Sequence, residues 1–335
     1  MIYSMPAEWQ LHEATLIAWP HNEDHWPGKY EPIPKIFASM AQILSKSEKV
    51  YMCVNDAKME EVARRLVGNE PNVSYLHIPT NASWSRDHGP IVVKNEKGQR
   101  IILDFIFNCW GEKYPPWDLD NAVPQHVGKF LNLPILEPGI VLEGGSIDVN
   151  GLGSLLTTRQ CLLNKNRNPH LNQEQIEEYL EKYLGATNVL WLEEGIIGDD
   201  TDGHIDDIAK FVNATTIVCA LEEKKNDENY FILQKNYEDL KKMKDQDGQP
   251  FTIVPLPMPD PVVHKGQRLP ASYLNFYIAN TVVAVPTFRC AKDQEVITKL
   301  QQFFPDRKVI GIDAVDWVWG LGTVHCSSQQ IPREG

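Results

Sequence analysis

Apolar and polar residues follow two alternating patterns along the chain. Apolar positions recur at helical spacing from Ile36 to Leu44, and the run Val50–Val54 behind them predicts a strand. Asp56 is placed to cap a second helix that runs to Leu66. The same patterns predict further strands at Val73–Ile78, Ile91–Val93, Ile101–Phe107, Ser154–Thr158, Val189–Leu192, Lys210–Val212, Ile217–Leu221, Phe276–Ala279 and Val282–Val285, and further helices at Gln173–Leu184, Asn226–Lys244 and Gln294–Phe303.

Some neighbouring strands are joined by turns and not by helices. Ile91–Val93 and Ile101–Phe107 predict a pair that turns at Glu96-Lys97-Gly98, and Lys210–Val212 predicts a pair with Ile217–Leu221. The recurring unit is strand, strand, helix, strand, which argues against a purely parallel, doubly wound sheet. Because no fixed-period repeat and no long flexible linker divides the chain, residues 1–335 are predicted to form a single domain.

The charge balance excludes several classes of partner. The 335 residues include 32 Lys and Arg against 45 Asp and Glu, a net charge of −13. An acidic surface repels nucleic-acid phosphates and anionic membranes, and it favours a cationic substrate. No apolar stretch approaches the roughly 18 residues of a spanning helix, and no basic segment followed by an apolar one suggests a signal peptide. We therefore expect a cytoplasmic protein that binds neither nucleic acid nor membrane.

Several familiar cofactor and metal motifs are incomplete. The six cysteines form no CxxC pair, which argues against a zinc ribbon or a thioredoxin-type redox site. Gly151-Leu152-Gly153 and Gly320-Leu321-Gly322 lack the third glycine of a dinucleotide fingerprint. The acidic run Asp199–Gly203 lacks the flanking carboxylates that a calcium-binding EF-hand requires. No cofactor and no metal is expected from these motifs.

Four segments combine glycine with reactive side chains. They are Trp84–Pro90, Leu142–Ser146, Thr201–Asp206 and Gly320–Gln330. If His204 and Asp206 lie on a strand, their spacing of two directs both side chains to one face, where they can divide proton transfer and cation binding. The alternative is a histidine with ordinary partners beside a surface acid.

Cys326 has a more polar sequence environment than the other cysteines. Glycines precede it and Ser327-Ser328-Gln329-Gln330 follows it, which suits a nucleophile because a reactive thiol needs a polar, reachable site. Asp87 and Glu143 also adjoin glycines, and carboxylates that converge in a pocket suit a planar guanidinium. The alternatives are a buried structural thiol, an ion pair of Asp87 with Arg86, and a surface position for Glu143.

Taken together, these segments resemble the agmatine deiminase / Porphyromonas-type peptidyl-arginine deiminase family of the guanidine-modifying pentein superfamily. The resemblance runs nearly end to end. It rests on Met5-Pro6-Ala7-Glu8-Trp9, Ala18-Trp19-Pro20, Trp84–Pro90, Phe107-Asn108-Cys109-Trp110-Gly111, Glu143-Gly144-Gly145-Ser146, Asp202–Asp206 and His325-Cys326-Ser327-Ser328-Gln329-Gln330.

The resemblance implies a role for each candidate residue. Cys326 would be the nucleophile, His204 the general acid and base, and Asp87, Glu143 and Asp206 the acids that bind the guanidinium. It also implies a five-bladed α/β propeller of ββαβ units with pseudo-fivefold symmetry, a homodimer, and chemistry without a cofactor or metal.

The implied reaction is hydrolysis of agmatine, a small cationic guanidine, to N-carbamoylputrescine and ammonia through a covalent S-alkylthiouronium, as in putrescine biosynthesis. A peptidyl-arginine or free-arginine deiminase of the same mechanism is the alternative, because His88 and the segment Thr323-Val324 depart from the residues common in agmatine deiminases. Trp84 and the pair Trp117-Asp118 are candidates for the substrate end away from the guanidinium, with ordinary packing as the alternative.

Two other classes of protein remain open at this point. A metal-dependent hydrolase would use His204, Asp206 and His325 as ligands. A non-catalytic protein would bind a guanidine in the same pocket without turnover.

Overall fold

The computed structural model describes residues 3–334, which form short strands and helices in alternation. The strands are β1 (Tyr3–Ser4), β2 (His12–Ala18), β3 (Lys49–Val54), β4 (Val73–His77), β5 (Ile91–Asn95), β6 (Arg100–Leu103), β7 (Ile135–Leu136), β8 (Asp148–Val149), β9 (Ser154–Thr158), β10 (Asn188–Leu192), β11 (Ala209–Asn213), β12 (Thr216–Leu221), β13 (Thr252–Pro257), β14 (Val263–His264), β15 (Gln267–Arg268), β16 (Tyr277–Ile278), β17 (Val282–Thr287), β18 (Lys308–Asp313) and β19 (Gln329–Pro332). The helices are α1 (Ile33–Ser45), α2 (Ala57–Val67), α3 (Ser85–His88), α4 (Cys109–Glu112), α5 (Asp118–Asn121), α6 (Val123–Leu131), α7 (Arg159–Leu162), α8 (Gln173–Leu184), α9 (Tyr230–Leu240) and α10 (Lys292–Gln301).

Five open sheets of the described chain repeat one arrangement, an antiparallel strand pair followed by a parallel strand. Their strand orders are β19-β2-β3-β4, β1-β5-β6-β7, β8-β9-β10, β11-β12-β13 and β16-β17-β18. The crossovers to the parallel strands carry α1, α6, α8, α9 and α10, because parallel strands need a long connection. The predicted unit of strand, strand, helix, strand is confirmed.

The chain's two ends meet in the first of these sheets. Strand β19 near the C-terminus pairs antiparallel with β2 near the N-terminus, with Gln329 opposite Leu16. This pairing brings the loop before β19, which carries Cys326, close to the loop after β2. The largest apolar cluster lies nearby and includes the fully buried Trp26 and Trp317.

Most predicted elements agree with the observed ones, and the differences lie at their ends. Asp56 caps α2 by accepting a hydrogen bond from the backbone N–H of Met59 at 2.8 Å. The predicted strand to Phe107 was too long, since β6 ends at Leu103 and Ile106 forms only an isolated bridge with Val141. The Phe107 N–H bonds to the side chain of Asn121 at 2.7 Å. The predicted helix 226–244 was also too long, since α9 spans Tyr230–Leu240. None of the helices in residues 3–334 is both long and apolar enough to cross a membrane.

Candidate active site

Cys326 lines a cavity of about 240 Å³. The loop that carries it turns through Leu321, which has a positive φ of 67°. The backbone of Gly322 lies so close to Trp84 that an added Cβ would stand 2.8 Å from the indole ring and 3.0 Å from the Cβ of Cys326. Glycine at this position therefore lets Trp84 and Cys326 line the same cavity.

Asp87 lies in the short helix α3 and is buried. Its Oδ1 accepts a hydrogen bond from the Gly145 N–H at 2.9 Å, and its Oδ2 accepts one from the indole N–H of Trp110 at 3.0 Å. Burial raises the pKa of Asp87 to about 6, and the Asp206 and Glu143 carboxylates add to this while His204 and the Trp110 hydrogen bond oppose it. The site thus holds an acid that ionises close to neutral pH.

Gly145 occupies the centre of the candidate side chains. A Cβ added there would lie 2.6 Å from Nδ1 of His204, 2.8 Å from Oδ1 of Asp87 and 3.2 Å from Oδ2 of Asp206. The structure therefore brings candidate side chains from two separate segments, Asp87 from one and His204 and Asp206 from the other, around a glycine of a third segment.

His204 is buried, and its Nδ1 lies 3.7 Å from Oδ1 of Asp87. Burial lowers the pKa of His204, but the Asp87 carboxylate, the neighbouring Cys161 and the Glu143 carboxylate outweigh burial and hold that pKa well above its usual value. The imidazole is therefore placed to carry a proton at neutral pH and to donate it.

His204 and Asp206 do not lie on a strand, so the strand placement considered for them was wrong. Residues Ile205–Asp207 form a single 3-10 turn, and His204 precedes it in extended conformation, because β11 begins only at Ala209. Both side chains nevertheless approach Gly145.

Glu143 and Asp206 each present one buried oxygen that lacks a hydrogen-bond partner. Oε1 of Glu143 accepts from Nε of Arg167 at 2.5 Å, and Oε2 has no partner. Oδ2 of Asp206 contacts Nδ1 of His325 at 2.7 Å, and Oδ1 has no partner. Because an unpaired buried carboxylate oxygen is costly, these two atoms point to a cationic ligand with N–H donors.

The sulfur of Cys326 lies among polar partners. The amide of Asn275 donates to Sγ at 3.0 Å, and Sγ lies 3.7 Å from Oδ2 of Asp206. Burial raises the pKa of the Cys326 thiol well above its usual value, and the Asp206, Asp207 and Asp87 carboxylates act in the same direction. The free protein therefore holds a neutral thiol at neutral pH.

The walls of the cavity combine aromatic and acidic groups. Trp84, Trp110, Tyr114 and Trp319 line it, together with the exposed Asp24 and the half-buried Asp200. Trp84, a candidate for contact with the substrate, lines this cavity. Trp117 and Asp118 do not line this cavity, and Trp117 packs against the main apolar cluster.

Sequence reasoning missed four residues that hold the site together. Asn275 and Arg167 stand outside all the motifs considered, whereas Glu8 and Trp110 lie inside quoted segments without an assigned role. Glu8 contacts His325 at 2.8 Å and the buried Lys210 at 2.9 Å. A buried charge needs a partner, but no local pattern shows which residue provides it.

One donor set of the described residues has the spacing to hold a metal ion. It consists of Glu143, Cys161 and His204, whose donor atoms lie within 4.8 Å of one another. This set differs from the predicted one, because both ring nitrogens of His325 contact carboxylates.

Solved structures and curated relatives match the chain nearly end to end. The agmatine deiminase of Enterococcus faecalis is 32% identical, with a TM-score of 0.94 over 99% of this chain and 96% of that one. A cysteine-to-serine variant of agmatine deiminase from C. jejuni, with substrate bound, is 36% identical, with a TM-score of 0.92 over 100% and 97%. A Legionella pneumophila protein named "Putative agmatine deiminase" is 38% identical over 333 residues, 99% of this chain and 95% of its own.

These matches, and a buried site whose unpaired carboxylate oxygens suit a cation, define a hydrolase that acts on the carbon–nitrogen bonds of guanidino compounds. Residues 4–332 match the family described as Porphyromonas-type peptidyl-arginine deiminase, and the chain belongs to that family.

Proposed function

We propose that this enzyme hydrolyses agmatine to N-carbamoylputrescine and ammonia. The charge of the residues that line the cavity supports agmatine as the substrate. In the part of the chain that the structure describes, no lysine or arginine lines the cavity, whereas Asp24 and Asp200 do. Arginine would bring an α-carboxylate toward these acids, but agmatine brings an ammonium group, which carboxylates and aromatic faces attract.

Binding would begin at the unpaired carboxylate oxygens. Glu143 Oε2 and Asp206 Oδ1 accept guanidinium N–H donors, and Asp87 contributes a third carboxylate. Charge-assisted bonds to a planar cation fix its orientation as well as its position. The guanidinium carbon is thereby held close to Sγ of Cys326, which supplies part of the rate enhancement through orientation.

The bound cation would also activate the thiol. Because carboxylates and burial raise the pKa of Cys326, a positive charge beside the sulfur favours the thiolate that the free site disfavours. The thiolate attacks the guanidinium carbon and forms a tetrahedral adduct. The thiol proton passes to a carboxylate of the site, of which Asp206 Oδ2 lies at 3.7 Å.

His204 would then carry the proton steps. The protonated imidazole donates to the departing nitrogen as the C–N bond breaks, which releases ammonia and leaves an S-alkylthiouronium. The neutral imidazole next accepts a proton from water, whose oxygen attacks the same carbon. As the C–S bond breaks, the hydroxyl proton of this adduct passes to solvent and the neutral ureido product leaves. The Cys326 thiolate takes back the proton held by the carboxylate, and His204 is again protonated.

Three further features belong to the same proposal. The five ββαβ units would close around a pseudo-fivefold axis as a propeller, with the site at its centre. The enzyme would act in the cytoplasm, in putrescine biosynthesis, and would form a homodimer.

The decisive experiment measures ammonia release from agmatine, free arginine and an arginine-terminated peptide in parallel. Cys326→Ala tests the nucleophile, and Cys290→Ala is the matched control, because Cys290 is a half-buried thiol outside the cavity. We expect release from agmatine that Cys326→Ala abolishes and Cys290→Ala retains.

Other results would contradict parts of the proposal. Release from arginine or the peptide alone would refute the substrate and keep the mechanism. Loss of activity with a chelator, restored by a stoichiometric metal, would favour the Glu143–Cys161–His204 set as a metal centre instead. Binding of agmatine without release would indicate a guanidine-binding protein.

A further inference from the structure

His325 adjoins the candidate nucleophile, and its ring lies between two carboxylates. Nδ1 lies 2.7 Å from Oδ2 of Asp206, and Nε2 lies 2.8 Å from Oε2 of Glu8. All three side chains are buried. Ionised carboxylates accept hydrogen bonds and donate none. Each of the two contacts therefore needs a proton of its own.

The number of protons fixes the charge of this group. An imidazolium between two carboxylates, or a neutral ring beside one protonated carboxyl, leaves a single net negative charge on Glu8, His325 and Asp206. Burial and the Arg86 and Lys210 cations outweigh the Glu8 and Asp206 carboxylates and lower the pKa of His325. The two short contacts still require two protons, which Glu8, His325 and Asp206 share as one hydrogen-bonded group.

The Glu8 end of this group is anchored to the fold. Oε2 of Glu8 contacts Nζ of Lys210 at 2.9 Å, and Oε1 accepts the N–H of Ile278 at 2.8 Å. The guanidinium of Arg86 lies 3.5 Å away. Burial raises the pKa of Glu8, but the Lys210, His325 and Arg86 charges outweigh burial and hold it well below its usual value. Glu8 is thus a fixed anion against which His325 can be oriented.

We propose that His325 is a positioning residue that holds Asp206 in its working orientation against the Glu8 anchor. In this arrangement Oδ2 of Asp206 faces His325, Asn275 and Cys326, and Oδ1 is left free for a guanidinium donor. Without the Nδ1 contact, the Asp206 carboxylate could rotate and present both oxygens to its other neighbours. The inference rests on the proposed function only for the identity of the bound cation.

Two variants of His325 separate its two contacts. His325→Asn keeps an N–H donor near the Nδ1 position, which faces Asp206, whereas His325→Gln keeps one near the Nε2 position, which faces Glu8. A merely structural role predicts the same loss in both. A positioning role predicts that the asparagine variant retains more activity.

The first measurement is steady-state turnover of agmatine by both variants. We expect KM to rise about 10- to 100-fold in His325→Gln, which corresponds to the loss of one hydrogen bond to a charged group. The fold increase of KM in His325→Asn should be less than half of that in His325→Gln. In both variants kcat should change less than KM. Equal KM increases at equal melting temperature would overturn the proposal.

The second measurement does not depend on turnover. It is the pH profile of Cys326 alkylation by iodoacetamide, which reports the thiolate. The titratable and polar groups that face the His325–Asp206 pair are Glu8, Arg86, Asp87, His204, Asp207, Lys210, Asn275, Tyr277 and Cys326. In His325→Gln, Oδ2 of Asp206 loses the N–H donor from residue 325, and its negative charge then lies beside the sulfur without that hydrogen bond. The alkylation midpoint should therefore move to higher pH than in His325→Asn, which keeps this donor.

These readouts keep the two proposals distinguishable. If the wild-type protein releases no ammonia from agmatine, the proposed function fails, and the alkylation profiles still test His325. If either His325 variant fails to fold, Glu8→Gln replaces it, because glutamine keeps the shape and removes the anchor's charge. A Glu8→Gln alkylation midpoint equal to that of the wild type would then overturn the proposal.

Discussion

The indole N–H of Trp110 donates to Oδ2 of Asp87 at 3.0 Å from a left-handed turn of the backbone. All four residues of α4 have positive φ, so this element is a single left-handed turn and not a right-handed α-helix. The φ values are 54° at Cys109, 56° at Trp110, 89° at Gly111 and 65° at Glu112. Each residue other than glycine costs about 1–2 kcal/mol in this conformation. Backbone strain of this kind is typical of functional sites. Here the strained turn directs the indole N–H of Trp110 toward the buried carboxylate of Asp87.

Trp110→Phe should weaken substrate binding and move the acid limb of the kcat/KM profile to higher pH. The hydrogen bond from Trp110 lowers the pKa of Asp87, so its loss leaves more of that carboxyl protonated at neutral pH. We expect kcat/KM to fall about 10- to 100-fold. Steady-state rates for agmatine between pH 5 and 9 would measure both effects.

The matched control for this change is Trp191→Phe. Trp191 also donates an indole hydrogen bond to a carboxylate, Glu177, at 2.7 Å, but it packs in a different apolar cluster. Its loss should lower the melting temperature and leave the pH profile unchanged. An identical shift of the profile in both variants would contradict the assigned role of Trp110.

Local sequence predicts much of this fold because its signals act over a few residues. The Asp56 cap and the periodicity of Gln173–Leu184 gave the correct helices, since caps and helix faces involve neighbours in the chain. The pairing of β19 with β2 could not be predicted in this way, because more than three hundred residues separate Gln329 from Leu16. Strand register depends on tertiary packing.

The residues of the candidate site also fall into those that local sequence predicts and those that depend on tertiary structure. Cys326, His204 and the three acids lie in short segments with recognisable composition. Asn275 gives no such signal, although its side chain contacts Cys326, 51 positions away in the chain. The contact of Asn275 with the sulfur depends entirely on where the fold places this side chain.

Gly145→Ala should remove activity while the protein still folds. The added methyl group would lie 2.6 Å from His204 Nδ1 and 2.8 Å from Asp87 Oδ1, so both side chains must move. Catalysis depends on geometry at this scale, and a displacement of about 1 Å can cost about 100-fold in rate. We expect a loss of kcat/KM of at least that order, measured by ammonia release.

Gly128→Ala is the control for this substitution. Its methyl group would meet the side chain of Ile135 at 2.5 Å, a similar overlap on α6. It should change stability without changing KM or kcat. A Gly145→Ala enzyme with wild-type kinetics would show that these side chains need not hold their observed positions.

Asn275→Asp should slow the alkylation of Cys326 at every pH below the thiol midpoint. The substitution replaces the donor that lies 3.0 Å from the sulfur with a carboxylate oxygen. A negative charge at that distance disfavours the thiolate, so the midpoint should rise. The measurement is the rate of iodoacetamide labelling against pH.

Asn236→Asp provides the comparison for a buried asparagine elsewhere. Asn236 donates to the backbone carbonyl of Glu194 at 3.0 Å and does not line the cavity. Its charge should lower the melting temperature and leave the labelling profile of Cys326 unchanged. A lower midpoint in Asn275→Asp would refute the stated effect of charge on the sulfur.

Asp87→Asn should abolish turnover and yet stabilise the fold in a pH-dependent way. The pKa of Asp87 is raised from its ordinary value of 3.8 to about 6 in the folded protein, so the folded state binds this proton more tightly than the unfolded state. Wild-type stability therefore increases as pH falls through about 6, and the buried charge costs about 3 kcal/mol above that pH. Asparagine carries no charge and avoids this cost, although it gives up a hydrogen bond from Gly145 or Trp110 worth about 1 kcal/mol.

The difference in melting temperature between Asp87→Asn and the wild type should consequently be positive at pH 8, shrink as pH falls through 6, and vanish or reverse below about 4. Differential scanning calorimetry across that range measures it. The exposed Asp118→Asn serves as the control and should show no such trend. If the difference in melting temperature did not vary with pH, the buried charge of Asp87 would not destabilise the folded protein. The expected trend would instead show that the enzyme gives up stability to keep a carboxylate ready for a cation.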